Sequence, residues 1–214
     1  IPINIYFFNI LFDTLSKTKI HHSDLLFYFQ RMYALKEVAT PNSITPNSIT
    51  LSVLLKCCRK CNDLKLAEKI LKLLSDVELD KFGINELIGI YGNHRLIDRA
   101  KGQFDALCAM EPTPNIIAYG SMLNAFAECG DIESIKSMIA RMKRDDVLRP
   151  QLQRSPVVYN SLMKGYANAD PPRPDKMLSV FEMMAYRTEC KVMDIHINFK
   201  AKAFNELIVQ SIRE

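Results

Sequence analysis

One stretch, P-N-I-I-A-Y-G-S-M-L-N-A-F-A-E-C-G-D-I-E-S-I-K-S-M-I-A-R-M at residues 114–142, leaves the chain very few folds to choose from. Tyr119, Met122, Leu123 and Phe126 fall at i, i+3, i+4 and i+7, the spacing of one helix face. Gly130 supplies the left-handed residue that ends this helix, and the Asp131 carboxylate caps the next. Ile132, Ile135, Ile139 and Met142 then share a face, with Glu133, Lys136 and Arg141 turned to water. A hairpin this short has too little apolar surface to stand alone. It must stack on neighbours of its own kind, so the rest of the chain is expected to repeat it.

Aligning an aromatic or apolar start, a polar or small residue and then two or three apolar residues finds the motif six times. It reads F-N-I-L-F at 8–12, L-S-V-L-L at 51–55, I-N-E-L-I at 84–88, Y-G-S-M-L at 119–123, Y-N-S-L-M at 159–163 and F-N-E-L-I at 204–208. The aligned second residues, Asn9, Ser52, Asn85, Gly120, Asn160 and Asn205, recur at intervals of 33–45 residues. The shorter intervals match the period of helix–turn–helix arrays, about 34 residues. The longer ones coincide with proline-rich or charged insertions.

The expected units are 5–47, 48–80, 81–115, 116–155, 156–200 and a partial one at 201–214, forming a single array over 1–214. In unit one, the helices are expected near 5–15 and 23–38. The segment 41–50 carries P-N-S-I-T twice; the second copy sets the register and the first is an added loop, kept from helix by its prolines. The turn of unit two falls at Asn62 or Asp63, and that of unit three at Gly92-Asn93. Residues 143–153 read as an exposed polar loop. P-P-R-P at 171–174 stretches the turn of unit five, ahead of a helix over 175–186 whose apolar face includes Phe181.

Composition narrows function more by exclusion. A chain that is 48% hydrophobic with seven glycines packs a core. A net charge of +4 and a pI near 8.7 are mildly basic, short of the strongly basic balance that announces a nucleic-acid binder. Six irregularly spaced cysteines give no disulfide framework and read as reduced thiols. Cys58 and Cys61 form one C-x-x-C, but no second pair has zinc spacing; no metal and no cofactor is expected. His21, His22, His94 and His196 join no catalytic constellation, and no carboxylate cluster suggests a nuclease, so no enzyme activity is expected. The apolar run 1–12 is shorter than the ~20 residues a membrane helix needs, and no membrane partner is expected. The sequence opens on Ile1 rather than Met, as a processed protein or a piece of a longer chain would.

The Y-N-x-L-like start, the Gly-Asp or Asn-Asp turn, the closing apolar-x-x-x-Met segment and the Pro-Asn before a repeat (Pro46-Asn47, Pro114-Asn115) together resemble the pentatricopeptide repeat (PPR) family. Tetratricopeptide repeats share the length, but their W-x-x-L-G-x-x-Y start is missing and the chain has no Trp. The resemblance implies an all-α, right-handed superhelical α-solenoid whose first helices line an inner groove, each unit addressing about one base of single-stranded RNA. By the same resemblance the base-reading pairs are Asn9 with Asn47, Ser52 with Asp80, Asn85 with Asn115, Gly120 with Ser155 and Asn160 with Lys200, while Asn205 opens a sixth. The Asn–Asn pairs would favour pyrimidines and the Ser–Asp pair guanine; Gly120–Ser155 and Asn160–Lys200 depart from the family's combinations. Tyr6, Ile49, Phe82, Ile117 and Val157 would sandwich the bases, and Lys17, Lys60 and Arg213 stand where the family places a phosphate-contacting lysine.

Each assignment has a plainer counterpart: Asn as a helix cap, Tyr6 and Phe82 as core, Lys17 and Lys60 as solvated surface. What lifts the set is recurrence at one place in every unit. The implied function is non-catalytic binding of single-stranded RNA, ribosomal RNA included, in a mitochondrial or plastid matrix. The protein would work with neighbouring proteins of a large ribonucleoprotein such as the mitochondrial ribosome. The alternative is a protein–protein scaffold that reads no RNA.

Overall fold

A computed structural model describes residues 4–18, 22–38, 44–110, 115–152 and 155–188. All regular structure among them is helical: α1 (Ile5–Lys17), α2 (His22–Val38), α3 (Ser48–Cys61), α4 (Leu64–Leu73), α5 (Lys81–Asn93), α6 (Ile97–Cys108), α7 (Ile116–Glu128), α8 (Ile132–Arg144), α9 (Leu148–Leu152), α10 (Pro156–Asn168) and α11 (Pro174–Thr188). The chain divides into two compact units, Ile1–Pro114 and Asn115–Glu214. Lys200, Asn205 and Arg213 lie outside the described residues.

In the first unit, the odd-numbered helices form a layer. α1 packs on α3, α3 packs on α5, and α4 and α6 lie against the first helix of their own hairpins. Phe8, Phe12, Leu51, Leu54, Leu55, Ile84, Leu87 and Ile88 fill the layer and are almost wholly buried, as the i, i+3, i+4 pattern requires. Helix starts are set by short polar side chains. Asn4 Oδ1 accepts from the Phe7 amide at 3.2 Å, and the Asp63 carboxylate accepts from the Leu66 amide at 2.9 Å. Asn47 and Thr50 cap each other reciprocally, so the second P-N-S-I-T copy does set the register. Asn62 makes the α3–α4 turn in the left-handed region at φ 53°. The next turn differs from expectation: α5 runs through Gly92 to Asn93, and Arg95 takes the left-handed position at φ 59°. The Leu96 amide then donates back to the Tyr91 carbonyl at 2.9 Å, closing the helix two residues later than the glycine suggested.

In the second unit, α7 packs on α8 and α10, and α10 on α11. Gly130 sits at φ 69°, and a Cβ there would lie 2.4 Å from the backbone oxygen of Asn168, so this turn admits no side chain. Asp131 caps α8 through the Ser134 amide at 3.0 Å, and the Asn168 amide donates to the Ala127 carbonyl at 2.9 Å, tying the end of α10 to the end of α7. Residues 148–152 correct a second expectation. They form α9, with Leu148 and Leu152 buried one turn apart, so the insertion covers apolar surface instead of looping into water. Pro150 is tolerated because it lies in the first turn. Pro174 likewise opens α11. Met163, Met177 and Val180 form the α10–α11 core, but Phe181 is 37% exposed and contributes little to it.

Candidate nucleic-acid interface

Placing the five first helices in register puts one kind of residue at each position. The second residue of each is Tyr6, Ile49, Phe82, Ile117 and Val157; the fifth is Asn9, Ser52, Asn85, Gly120 and Asn160. Residues two and five are one turn apart and share a face. At its second position that face is open to water, while at its fifth Ser52 is buried. Tyr6 is 69% exposed, Ile49 53%, Phe82 77% and Ile117 61%, while the neighbours Phe8, Leu51, Ile84 and Tyr119 are buried. Large apolar side chains recurring in water at one place per repeat have no packing role. Tyr6 and Phe82 are therefore not core.

The residues expected to close each reading pair turn out to be N-caps of the following first helix. Asn47, Asp80, Asn115 and Ser155 each directly precede one and accept its backbone N–H groups. Capping occupies an oxygen. In Asn47 and Asn115 it leaves the amide NH₂ as a donor, and in Asp80 it leaves the second carboxylate oxygen as an acceptor. One pair is joined outright: the Ser52 hydroxyl donates to Asp80 Oδ1 at 2.6 Å, the same oxygen that accepts from the Gly83 amide at 2.8 Å. A Cβ on Gly83 would stand 2.8 Å from Ser52 Oγ, so the glycine permits this approach. The side-chain oxygens of Asn9 and Asn85 are buried with no hydrogen-bond partner, a state that costs roughly 1–3 kcal/mol each. Asn160 is exposed. Gly120 brings no side chain, and a Cβ there would meet a Val157 methyl at 3.1 Å; the next repeat's apolar residue leans into the place a reader would occupy.

The charges of this face were not foreseen. Lys17 pairs with Asp13 at 2.6 Å, and Lys56 of α3 reaches back to the same carboxylate at 2.9 Å. The hydrogen bonds from Lys17 and then Lys56 hold the Asp13 carboxyl below the usual carboxylate range. Arg59 of α3 bonds Glu86 of α5 at 3.1 Å, and Lys164 of α10 bonds Glu128 and Asn124 of α7, the latter at 3.0 Å. Lys60 is exposed. At the ninth residue of each first helix (Asp13, Lys56, Gly89, Asn124, Lys164), opposite charges fall on neighbours only at Asp13 and Lys56, and that was the available signal.

Among the described residues, no three His, Cys, Asp or Glu side chains gather to hold a metal ion, and no helix is long and apolar enough to cross a membrane. Cys57 and Cys58 are buried; desolvation pushes the Cys57 thiol up to about 12 and Cys58 higher still. They stay thiols, and Cys57 donates to the Phe12 carbonyl at 3.2 Å.

Stacked helical hairpins with an exposed, periodic first-helix face define an α-solenoid repeat protein. Residues 117–147 match the family model described as PPR repeat. The chain is 29% identical over 108 residues to pentatricopeptide repeat-containing protein At1g06140, mitochondrial, of Arabidopsis thaliana, covering 50% of this chain and 19% of that one. It is 28% identical over 154 residues to At5g10690, a second Arabidopsis protein of that description, covering 67% and 25%. The fold matches the crystal structure of PPR10 in complex with an 18-nt psaJ RNA element at a TM-score of 0.55 and 17% identity, over all of this chain and 36% of that one. Residues 117–147 thus carry a PPR repeat, and the chain is similar to pentatricopeptide repeat proteins in sequence and fold. It spans about a fifth to a quarter of the length of these curated relatives.

Proposed function

We propose that this protein binds single-stranded RNA along the first-helix face, about one base per repeat, without catalysing a reaction. The observation that carries this reading is the row of exposed Tyr6, Ile49, Phe82 and Ile117, each one turn before the fifth-position residue. A base inserted between two such side chains stacks on both, a contact worth ~1–3 kcal/mol per base. Its edge then meets the fifth residue and the next N-cap. Ser52 gives its proton to Asp80, so both face the base as acceptors, which suits the N1–H and N2–H donors of guanine. An asparagine pair offers an amide donor and, once the amide of residue five turns outward, an acceptor; this suits a pyrimidine. That PPR10 was crystallised with an RNA element supports the same occupant here.

The proposed setting is an organelle, mitochondrion or plastid, where a mitochondrial relative points the same way. Irregular repeats four and five are compatible with a place inside a ribonucleoprotein such as the mitochondrial ribosome, next to ribosomal RNA and other proteins. A second reading, a groove holding a peptide or helix, is favoured by one observation. The pairs Lys56–Asp13 and Lys164–Glu128 offset cations that an RNA ligand would attract.

The test is binding of labelled single-stranded RNA to the 214-residue chain. Asn85→Ala with Asn160→Ala is expected to weaken binding roughly tenfold, about 0.5–1.5 kcal/mol per lost hydrogen bond, with the helical circular dichroism unchanged. RNA affinity unchanged by the double variant, with a protein partner lost, would favour the scaffold.

A further inference from the structure

We infer that Arg59 is an anion contact of the first-helix face, laid in a slot that Gly89 leaves open and Glu86 orients, where it takes a backbone phosphate between the bases of the second and third repeats. The inference rests on the RNA-binding reading above and adds a residue which the six-fold motif does not contain.

Arg59 is the twelfth residue of α3, yet its guanidinium does not stay on α3. It crosses to α5 and lies over Gly89. A Cβ on Gly89 would come within 2.5 Å of Arg59 Nε, 2.7 Å of Cζ and 2.8 Å of Cδ, so the arginine fills the space where a ninth-position side chain would stand. Gly89 is one turn beyond Asn85, on the same face as Phe82 and Asn85. The guanidinium thus sits on the surface where the bases would lie. Nη1 donates to Glu86 Oε2 at 3.1 Å, and Glu86 is the more buried partner, at 18% side-chain exposure against 35% for Arg59.

A guanidinium carries five N–H donors in a rigid planar fork, more than one carboxylate can take up. Half in solvent and fixed at its root, it presents the remaining edge outward in the geometry that recognises phosphate oxygens in pairs. Lys60, the next residue in the chain, is exposed. At the twelfth position the other described first helices carry Ser16, Gly92, Ala127 and Ala167, so the second-to-third junction is where this device is built.

Gly89→Ala is an unusually clean probe. It keeps the arginine and the net charge, raises helix propensity, and forces only a flexible side chain aside. Titrate wild type, Arg59→Gln, Gly89→Ala and the double variant with a fluorescein-labelled random-sequence single-stranded RNA over a series of KCl concentrations, recording melting temperatures alongside. Arg59→Gln is expected to weaken binding roughly tenfold at low salt. It should also flatten the slope of log affinity against log salt by ~0.7, the value of one released counterion on a single strand. Gly89→Ala should lower both quantities in the same sense without lowering the melting temperature, and the double variant should bind no worse than Arg59→Gln alone.

Unchanged affinity and slope in Arg59→Gln would leave the arginine a brace between helices and overturn the inference, while RNA binding by the wild type still stood. A slope that falls in Arg59→Gln but not in Gly89→Ala would overturn the role of the slot. Absence of RNA binding by the wild type would remove the RNA-binding reading and this inference with it.

Discussion

The second and third repeats, residues 48–110, and the fourth and fifth, residues 115–188, share one helical register and differ in what stands on it. In the former pair, Ile49 and Phe82 project into water, Ser52 and Asp80 are hydrogen-bonded into a unit, and Gly83 and Gly89 open room for the Ser52 and Arg59 side chains of the neighbouring helix. In the latter pair, the fifth position of α7 is Gly120, Val157 leans into its space, and the hairpins carry the extra helix α9 and a proline-rich turn. Both pairs are well packed: Leu54, Leu55 and Ile88 in one and Met122, Leu123 and Ile135 in the other are completely buried. The contrast shows that packing and reading are separate demands on the same helix. A repeat can carry a glycine at its fifth position and keep its place in the stack, because the large apolar packing residues lie at other positions of the helix.

The largest effect that sharpens this contrast is on stability. Phe126, 4% exposed on α7, is expected to cost ~3–5 kcal/mol when cut to Ala, whereas half-open Phe181→Ala should cost well below that, ~1 kcal/mol or less. Chemical denaturation followed by circular dichroism measures both. Equal losses would mean that α11 packs more closely than its exposure indicates.

Next comes affinity. Phe82→Ala should leave the unfolding midpoint within ~0.5 kcal/mol of wild type, since the ring is in solvent, yet weaken RNA binding by ~1–3 kcal/mol. Val157→Ala should change RNA binding hardly at all, because its methyls are spent on Gly120. If the two variants lost affinity equally, the fourth repeat would be as competent as the second and third.

Much of this was legible in the chain. The i, i+3, i+4, i+7 stripes gave the hairpins and most of the core, because a helix face depends only on spacing. The row of sandwiching residues is implied by the family resemblance alone; the structure adds that Tyr6, Ile49, Phe82 and Ile117 are exposed. What stayed hidden depends on neighbours. Asn47, Asp80, Asn115 and Ser155 cap the first helices that follow them, the plainer counterpart already open for the asparagines, but the bond from Ser52 to the cap Asp80 needs two stacked helices. α9 was hidden inside a charged segment, since two leucines four apart carry little periodic signal. The crossings of Lys56, Arg59 and Lys164 need two helices already stacked. Gly92 looked like a turn, but the hydrogen bonds that end α5 are made by Arg95 and Leu96.

The smallest effect is electrostatic. The Asp13 carboxyl is held low in the folded protein, so its bonds to Lys17 and Lys56 add stability above the unfolded value of 3.8 and lose it as pH falls below that through the folded value. Asp13→Asn should therefore make the first unit slightly less stable at neutral pH and remove part of its acid sensitivity below pH 4. Thermal melts at pH 7 and pH 3 should converge between variant and wild type on the acid side. A gap that widened on acidification would reverse the sign of the argument.

The central claim is that a nucleotide strand lies along the exposed first-helix face, held between side chains that recur once per repeat. Ultraviolet crosslinking of bound single-stranded RNA, with adducts located by mass spectrometry, tests it most directly. The account predicts adducts at Tyr6 and Phe82, the two aromatic members of the row, and their loss on replacement by Ala. Adducts confined to the second helices α2, α4 and α6, or a binding-competent protein crosslinking at neither Tyr6 nor Phe82, would contradict it.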